Sequence, residues 1–445
     1  MKLINYFKTG LDSDLIGDEQ KIEKIYERKR RLIFLSLVIG YGFFYVCRIN
    51  LSVAKKPLMD VGLLDPWQMG IIGSALLYVY AIGKFINGFL ADYANIRKFM
   101  SIALFCSAII NLIFGLTNWF ALFIVLWAFN GWFQSIGSAP SVVSICQWFS
   151  HKERGTRYGI WAGAHNIGEG LTFIGTSFLI GLLGWRWGFI GPGIICAFVA
   201  AIMFYTLADR PETYGLPNVT DYKKDYSGGK PSNEKTGKLQ LMVLKSPITW
   251  ILGLSSAMMY ICRYGIHSWG PLYLQEAKGY SIFESGSMIG FMTIVGLMGA
   301  ISSGFISDKF FNSRRNIPTL FYGISLTGSL TMLWCIPPGN YWFDLIAIGI
   351  FEFAIGGLIV FLAGLIVVDV MPKKAAGAVK GVIGLFSYFA AASQDWISGF
   401  LIDSSRLVIE GKVHYDFKNA FYFWIGASLL SLFLALFAWN IKPHE

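Results

Sequence analysis

The sequence predicts an all-α membrane protein: twelve transmembrane helices in two homologous six-helix halves. Three observations carry that prediction. Apolar stretches long enough to span a bilayer recur along the whole chain, basic residues gather in alternate loops, and one four-residue phrase is written twice at matching depth.

Of the 445 residues, 55% are hydrophobic and 14% charged, against about 25% charged in an ordinary soluble domain. A helix of about 20 apolar residues crosses ~30 Å of hydrocarbon and satisfies its own backbone groups there. Such stretches fall at 31–53, 70–91, 98–117, 119–149, 156–183 and 187–208, then at 247–275, 284–307, 317–337, 343–370, 377–403 and 418–440. A polar tail (1–30) precedes the N-terminal half (31–208). A linker (209–245), polar and containing Ser227-Gly228-Gly229-Lys230-Pro231, leads into the C-terminal half and a short tail (246–445).

Orientation follows from Lys and Arg in the short loops. They crowd the N-terminal tail, the 2–3 loop (Arg97, Lys98), the 4–5 loop (Lys152, Arg154, Arg157), the linker, the 8–9 loop (Lys309, Arg314, Arg315) and the 10–11 loop (Lys373, Lys374). With twelve spans all of these share one side, so both termini are expected in the cytoplasm of a cell whose inner (plasma) membrane holds the protein. The stretch after span 1 (Lys55, Lys56, Asp60, Asp65) is a mixed exception, as is the loop after span 11. The net charge of +10 thus reports topology and lipid contact, not nucleic acid. About thirty polar residues before the first apolar run do not resemble a cleaved secretory leader. Six cysteines stand singly without CxxC spacing, so free thiols are expected and no structural metal.

The repeat is visible at three places. Tyr45-Val46-Cys47-Arg48 returns as Tyr260-Ile261-Cys262-Arg263, 215 residues on. Gly88-Phe89-Leu90-Ala91-Asp92 returns as Gly304-Phe305-Ile306-Ser307-Asp308 after 216, and Lys152-Glu153-Arg154-Gly155 is echoed by Lys374-Ala375-Ala376-Gly377 after 222. A parallel repeat of this kind places a binding site between the halves near the midplane.

The duplicated arginine is costly. An unpaired guanidinium in hydrocarbon costs ~2.5–3.5 kcal/mol even on the lenient insertion scale. Its planar fork matches phosphate oxygens in pairs and stays charged at cellular pH. Arg48 and Arg263 are therefore read as joint holders of phosphate or another dianion, with pairing to a buried acid as the rival reading. Lys84 in span 2 either adds a point charge to the cavity or snorkels to the interface. His165 and Glu169 lie at i and i+4 on one helix face, where the acid could orient the imidazole. Tyr41, Tyr45, Tyr260 and Tyr388 offer hydroxyl donors or simple packing. Asp395, Glu352 and His267 are candidate charge partners within spans 11, 10 and 7, the two acids serving as counter-ions, as acceptors for sugar hydroxyls, or as outward-facing charges. Asp92 and Asp308, beside basic loops, read as inter-helix contacts that steady one conformation. No Walker loop, HExxH or nucleophile elbow occurs, so neither an enzyme nor an ATP-driven pump is expected, and no cofactor.

Gly88-x-Leu90-x-Asp92 followed by Arg97-Lys98 resembles the loop 2–3 signature of the major facilitator superfamily. Within it, Arg154-Gly155, Trp161 and His165-Asn166-Ile167-Gly168 resemble the signature of the organophosphate:phosphate antiporters. Tyr41-x-x-x-Tyr45-x-x-Arg48, Lys84-Phe85, Gly131-Trp132-Phe133-Gln134, Arg263-Tyr264-Gly265, Pro372 to Gly377 and Gly384-Leu385-Phe386-Ser387-Tyr388 extend the match. The resemblance implies a phosphate site at Arg48 and Arg263, with Lys84 and His165 in contact with substrate. It implies an antiporter exchanging an organophosphate, hexose 6-phosphate before glycerol 3-phosphate or phosphoglycerate, for inorganic phosphate. The alternative in the same family is a membrane sensor of external hexose phosphate that signals to a histidine kinase. Two positions depart from the pattern: Glu169 replaces a small residue, and Ile355-Gly356-Gly357-Leu358 replaces an aromatic-Gly-Pro element. Both bear on the organic part of the substrate.

Overall fold

A computed structural model describes residues 6–91, 93–225, 245–311, 315–362, 376–409 and 412–437. The N-terminal half holds α1 (Glu19–Asp60), α2 (Pro66–Ala91), α3 (Ile96–Leu116), α4 (Phe120–Trp148, interrupted by a turn after Gln134), α5 (His151–Leu183) and α6 (Trp187–Thr206). The C-terminal half holds α7 (Pro247–Glu276), α8 (Ile282–Phe310), α9 (Asn316–Cys335), α10 (Tyr341–Val360), α11 (Ala376–Ser404) and α12 (Lys418–Phe437). A short antiparallel hairpin, β1 (Arg406–Ile409) and β2 (Lys412–Tyr415), joins α11 to α12 where the sequence suggested only a loop.

Local chemistry sets several helix ends. Asp18 caps α1 by accepting from the Lys21 amide at 3.2 Å, so the helix starts well before the first apolar span. Asn95 caps α3 in the same way, and Ser281 with Glu284 forms a capping box on α8. The front of the linker is also structured. Asp209 accepts from the Gly10 amide at 2.8 Å and from Asn95 at 2.9 Å, while Arg210 pairs with Asp12 at 2.7 Å. The N-terminal segment is thereby tied to the end of α6. The linker residues 226–244, the predicted Lys373 and Lys374, and Asp92 lie outside the described residues, and nothing is described of the Asp308 side chain.

The packing repeats with the sequence. In the first half α1 packs on α5 and α6, α2 on α4, and α3 on α4 and α6; in the second α7 packs on α11 and α12, α8 on α10, and α9 on α10 and α12. Between halves the main contacts are α2 with α11 and α5 with α8, which exchange under the same correspondence, and α1 meets α7 on the axis. This is the pseudo-twofold arrangement of a parallel repeat.

At the end of the bundle distant from the termini the halves are tightly joined. Ser74 on α2 donates to the Ala392 carbonyl at 2.7 Å, and Tyr78 bonds Ser393 at 2.9 Å. A methyl group at Gly290 on α8 would lie 2.9 Å from the Gly170 carbonyl of α5, so glycine is what allows these backbones to touch. Lys56 adds an ion pair to Glu276 across the same seam. The structure thus closes this end around a central polar site.

Candidate functional site

The repeated phrase becomes intelligible in three dimensions. Cys47 faces into its own half: its thiol approaches the Pro192 carbonyl at 3.7 Å, and its carbonyl accepts from Asn111 at 3.0 Å and Asn130 at 2.8 Å. Cys262 does the same in the other half, its thiol donating to the Trp424 carbonyl at 3.2 Å. The cysteines are small packing residues that fix α1 and α7 against α6 and α12. Arg48 and Arg263 both lie buried near the seam between halves. Tyr45 and Tyr264 lie within electrostatic reach of both guanidinium groups.

Arg263 is paired. Its guanidinium reaches the Glu169 carboxylate of the opposite half at 3.2 and 3.3 Å. Glu169 also lies 3.7 Å from His267 Nδ1, and His267 Nε2 is 2.7 Å from Glu352 Oε1. Glu169 is therefore engaged chiefly by α7, not held as the orienting partner of His165 that the i, i+4 spacing suggested. The His165 Nδ1 instead meets the Ala162 carbonyl of its own helix, with the ring 5.7 Å from that of Tyr45.

A second charge pair was not foreseen. Lys55, read from sequence as loop, lies inside α1 and is 1% exposed. It hydrogen-bonds Ser268 at 2.8 Å, pairs with Asp395 at 3.4 Å and sits 3.3 Å from the centre of Trp269. Ser268 donates to the same Asp395 oxygen at 2.6 Å. Lys55 is seven residues after Arg48, two turns along one helix face, and that spacing was the available signal.

The charges can be balanced. Glu169 meets Arg263, Glu352 meets His267 and Asp395 meets Lys55. Among the described residues no carboxylate lies within 4.0 Å of Arg48 or Lys84; both face tyrosines. Arg48 stands 3.9 Å from the Tyr45 ring and 5.2 Å from Tyr80, and Lys84 4.7 Å from Tyr388. Aromatic faces moderate a cation, typically by ~0.5–2 kcal/mol, without neutralising it. Arg48 thus remains buried without a carboxylate, where charge normally requires a partner, and Lys84 stands half-buried near the same Tyr80. Arg48, Lys55, Glu169, His267, Ser268 and Asp395 bound one small cavity. Around it Tyr80, Tyr260 and Tyr388 form a connected set, Tyr388 lying 4.9 Å from Tyr80 and 5.5 Å from Tyr260. Tyr41 is one layer out, against Tyr45 and Trp161. Tyr80 was not singled out in the sequence, and Tyr264 entered only within the Arg263-Tyr264-Gly265 match, although each neighbours a flagged cation.

The fold is matched by comparison with known proteins. Residues 37–393 match the Major Facilitator Superfamily. The chain belongs to that superfamily. Within it the sequence groups with the organophosphate transporters. It is 32% identical over 444 residues to a probable hexose phosphate transport protein of Chlamydia pneumoniae, covering 96% of this chain and 94% of that protein. It is 31% identical to the glycerol-3-phosphate transporter of Bacillus subtilis, covering 98% of each. It is 30% identical to the membrane sensor protein UhpC of Salmonella typhimurium, covering 88% of this chain and 90% of the sensor. A bacterial homologue of the human lysosomal transporter Spinster, solved inward-facing and unoccupied, superposes with a TM-score of 0.73 over 92% of this chain and 96% of its own at 17% identity. That likeness speaks for the fold alone.

Proposed function

We propose that this protein exchanges an organophosphate, hexose 6-phosphate foremost, for inorganic phosphate across the inner membrane by alternating access, both termini lying in the cytoplasm. The observation that carries the reading is the charge balance: Arg48 and Lys84 face the site without carboxylates, among the described residues, while every acid nearby is matched. A phosphate near neutral pH carries roughly −1.5 to −2 charges, given a second pKa of about 6, which is the complement of those two cations. The names of the relatives support a phosphate ester as cargo.

Phosphate entering between the halves meets Arg48 first and then competes with Glu169 for the fork of Arg263. Bridging both arginines joins α1 to α7 and favours movement of one half against the other. Without the anion, reorientation carries uncompensated charge through a low dielectric, so movement is coupled to occupancy. The sealed end is the extracellular one, since the basic loops lie at the other.

Arg48→Lys or Arg263→Lys should abolish phosphate exchange in proteoliposomes while leaving insertion intact, because a lysine cannot reproduce the bidentate fork. Exchange at the wild-type rate in either variant would overturn the two-arginine site. The likeness to a named sensor favours one rival, a receptor that signals to a kinase. Counterflow of labelled phosphate separates them, since a pure receptor shows none. Competition by hexose 6-phosphate, glycerol 3-phosphate and phosphoglycerate then ranks the cargo.

A further inference from the structure

At the end of the bundle that carries the termini, α1, α5 and the front of the linker enclose a cavity of about 590 Å³ that shares no residue with the cavity at Arg48. We propose that it holds the phosphodiester headgroup of an anionic phospholipid from the adjoining leaflet, with Arg31 and Arg157 as its ligands.

The charges around this cavity do not balance. Arg30, Arg31, Arg157 and Lys223 face only Glu27 and Glu153. Glu27 pairs with Arg30 at 2.7 Å and with Lys223 at 3.0 Å, and Glu153 pairs with Arg30. Both carboxylates are thus engaged, and among the described residues none lies within 4.0 Å of Arg31 or Arg157. Arg31 reaches the Glu27 carbonyl at 3.4 Å. Arg157 lies over two rings, 4.8 Å from the centre of Phe34 and 5.3 Å from that of Phe149. An aromatic face steadies a guanidinium without taking its N–H groups, so the fork of donors stays free for paired phosphate oxygens. In the same wall the buried Nε of Arg30 has no hydrogen-bond partner among the described residues.

The apolar surface beside these cations makes the ligand a lipid. Arg31 and Arg157 stand at the starts of the spans read at 31–53 and 156–183, which is the depth of headgroups. Leu35 lines the cavity and is 56% exposed; Ile39, one turn deeper, and Ile160, one turn beyond Arg157, are each 51% exposed. Ile39 precedes Arg48 by nine residues, and Ile160 precedes Glu169 by nine. Nine residues are about two and a half helical turns, so both isoleucines point away from the central site. The apolar track that leaves the basic cavity therefore faces acyl chains and not the transport path. A phosphodiester carrying acyl chains covers cations and track together, as anionic headgroups do in basic pockets between membrane helices. A soluble organophosphate would leave the track bare. Because Lys223 pairs with Glu27 here and Tyr222 stacks on Tyr26 at 3.9 Å, a bound headgroup also steadies the start of the linker.

The test uses the full chain, purified and delipidated in a non-ionic detergent, with phosphatidylglycerol and phosphatidylcholine as probes. Native mass spectrometry should show one phosphatidylglycerol retained in preference to phosphatidylcholine. Arg31→Gln and Arg157→Gln should each weaken phosphatidylglycerol retention about five- to tenfold and leave phosphatidylcholine retention unchanged. Arg31 is exposed, so its variant carries the test if Arg157→Gln does not fold. Lys309→Gln, which removes an equal charge from the last turn of α8, should retain phosphatidylglycerol as the wild type does. Glycerophosphoglycerol, the same phosphodiester without acyl chains, should not displace the lipid. Displacement at equal concentration would mean a soluble-anion site and overturn the assignment. Equal retention of the two lipids by the wild type, wild-type retention in both arginine variants, or an equal loss in Lys309→Gln would overturn it as well.

Discussion

Lys55 shows how a single residue can be misplaced by sequence and located by structure. A lysine beside Lys56 and upstream of Asp60 looks like a loop charge, because loop charges are far commoner than buried ones. Its partners, Ser268 and Asp395, are separated from it by 213 and 340 residues, and no local pattern reveals such a meeting. Glu169 was legible as a departure from the family pattern, yet its engagement with Arg263 across the seam was not, because i, i+4 spacing favoured His165. By contrast Arg48, Arg263 and Lys84 were legible, since a charge retained in an apolar span needs a reason wherever its helix sits. Removing one member of a buried pair is expected to cost ~3–5 kcal/mol, whereas replacing both by apolar residues is often close to neutral. Asp395→Asn alone should therefore lower the thermal midpoint of the purified protein markedly, and Lys55→Met with Asp395→Leu should recover most of the loss. Equal destabilisation by the single and double variants would show that the pair contributes nothing by being matched.

At the scale of elements, the twelve spans were readable because hydrocarbon thickness imposes their length, and the repeat was readable because both halves solve the same packing problem. The early start of α1 was not, because an amphipathic polar segment capped by Asp18 does not look like a span. The β1–β2 hairpin was missed because strands of four residues are too short for a period to stand out, even though Lys412 to Tyr415 alternate. What holds α5 against α8 is the absence of side chains at Gly290, a feature that reads in sequence only as a weak helix position. Overpacking at such a contact costs ~1–3 kcal/mol, enough to lower a balanced closed state by roughly tenfold. Gly290→Leu should therefore slow phosphate exchange by about that factor while inserting normally. Gly328→Leu on α9, where nothing lies within 4 Å of an added Cβ, should leave exchange unchanged. Equal rates for the two variants would separate the seam from transport.

For the whole molecule, the proposed alternating access requires at least two arrangements of its halves, and no reading of residues alone can say which one is closed. The pseudo-twofold pairing of α2 with α11 and α5 with α8 resolves this, because the tight contacts gather at the end away from the termini. If transport requires that end to open, a covalent tie there must stop it. At Gly286 of α8 an added Cβ would lie 2.8 Å from Ser177 Cβ of α5. A disulfide needs about 3.5–4.5 Å between Cβ atoms, so a separation of about an ångström would admit one between cysteines at both positions. Gly286→Cys with Ser177→Cys should cross-link on oxidation, arrest phosphate exchange, and regain it on reduction. Either substitution alone should remain insensitive to the same oxidant. Exchange that continues unchanged in a population shown by mass spectrometry to be cross-linked would mean that the halves do not part at this seam, and the rocking motion would have to be abandoned.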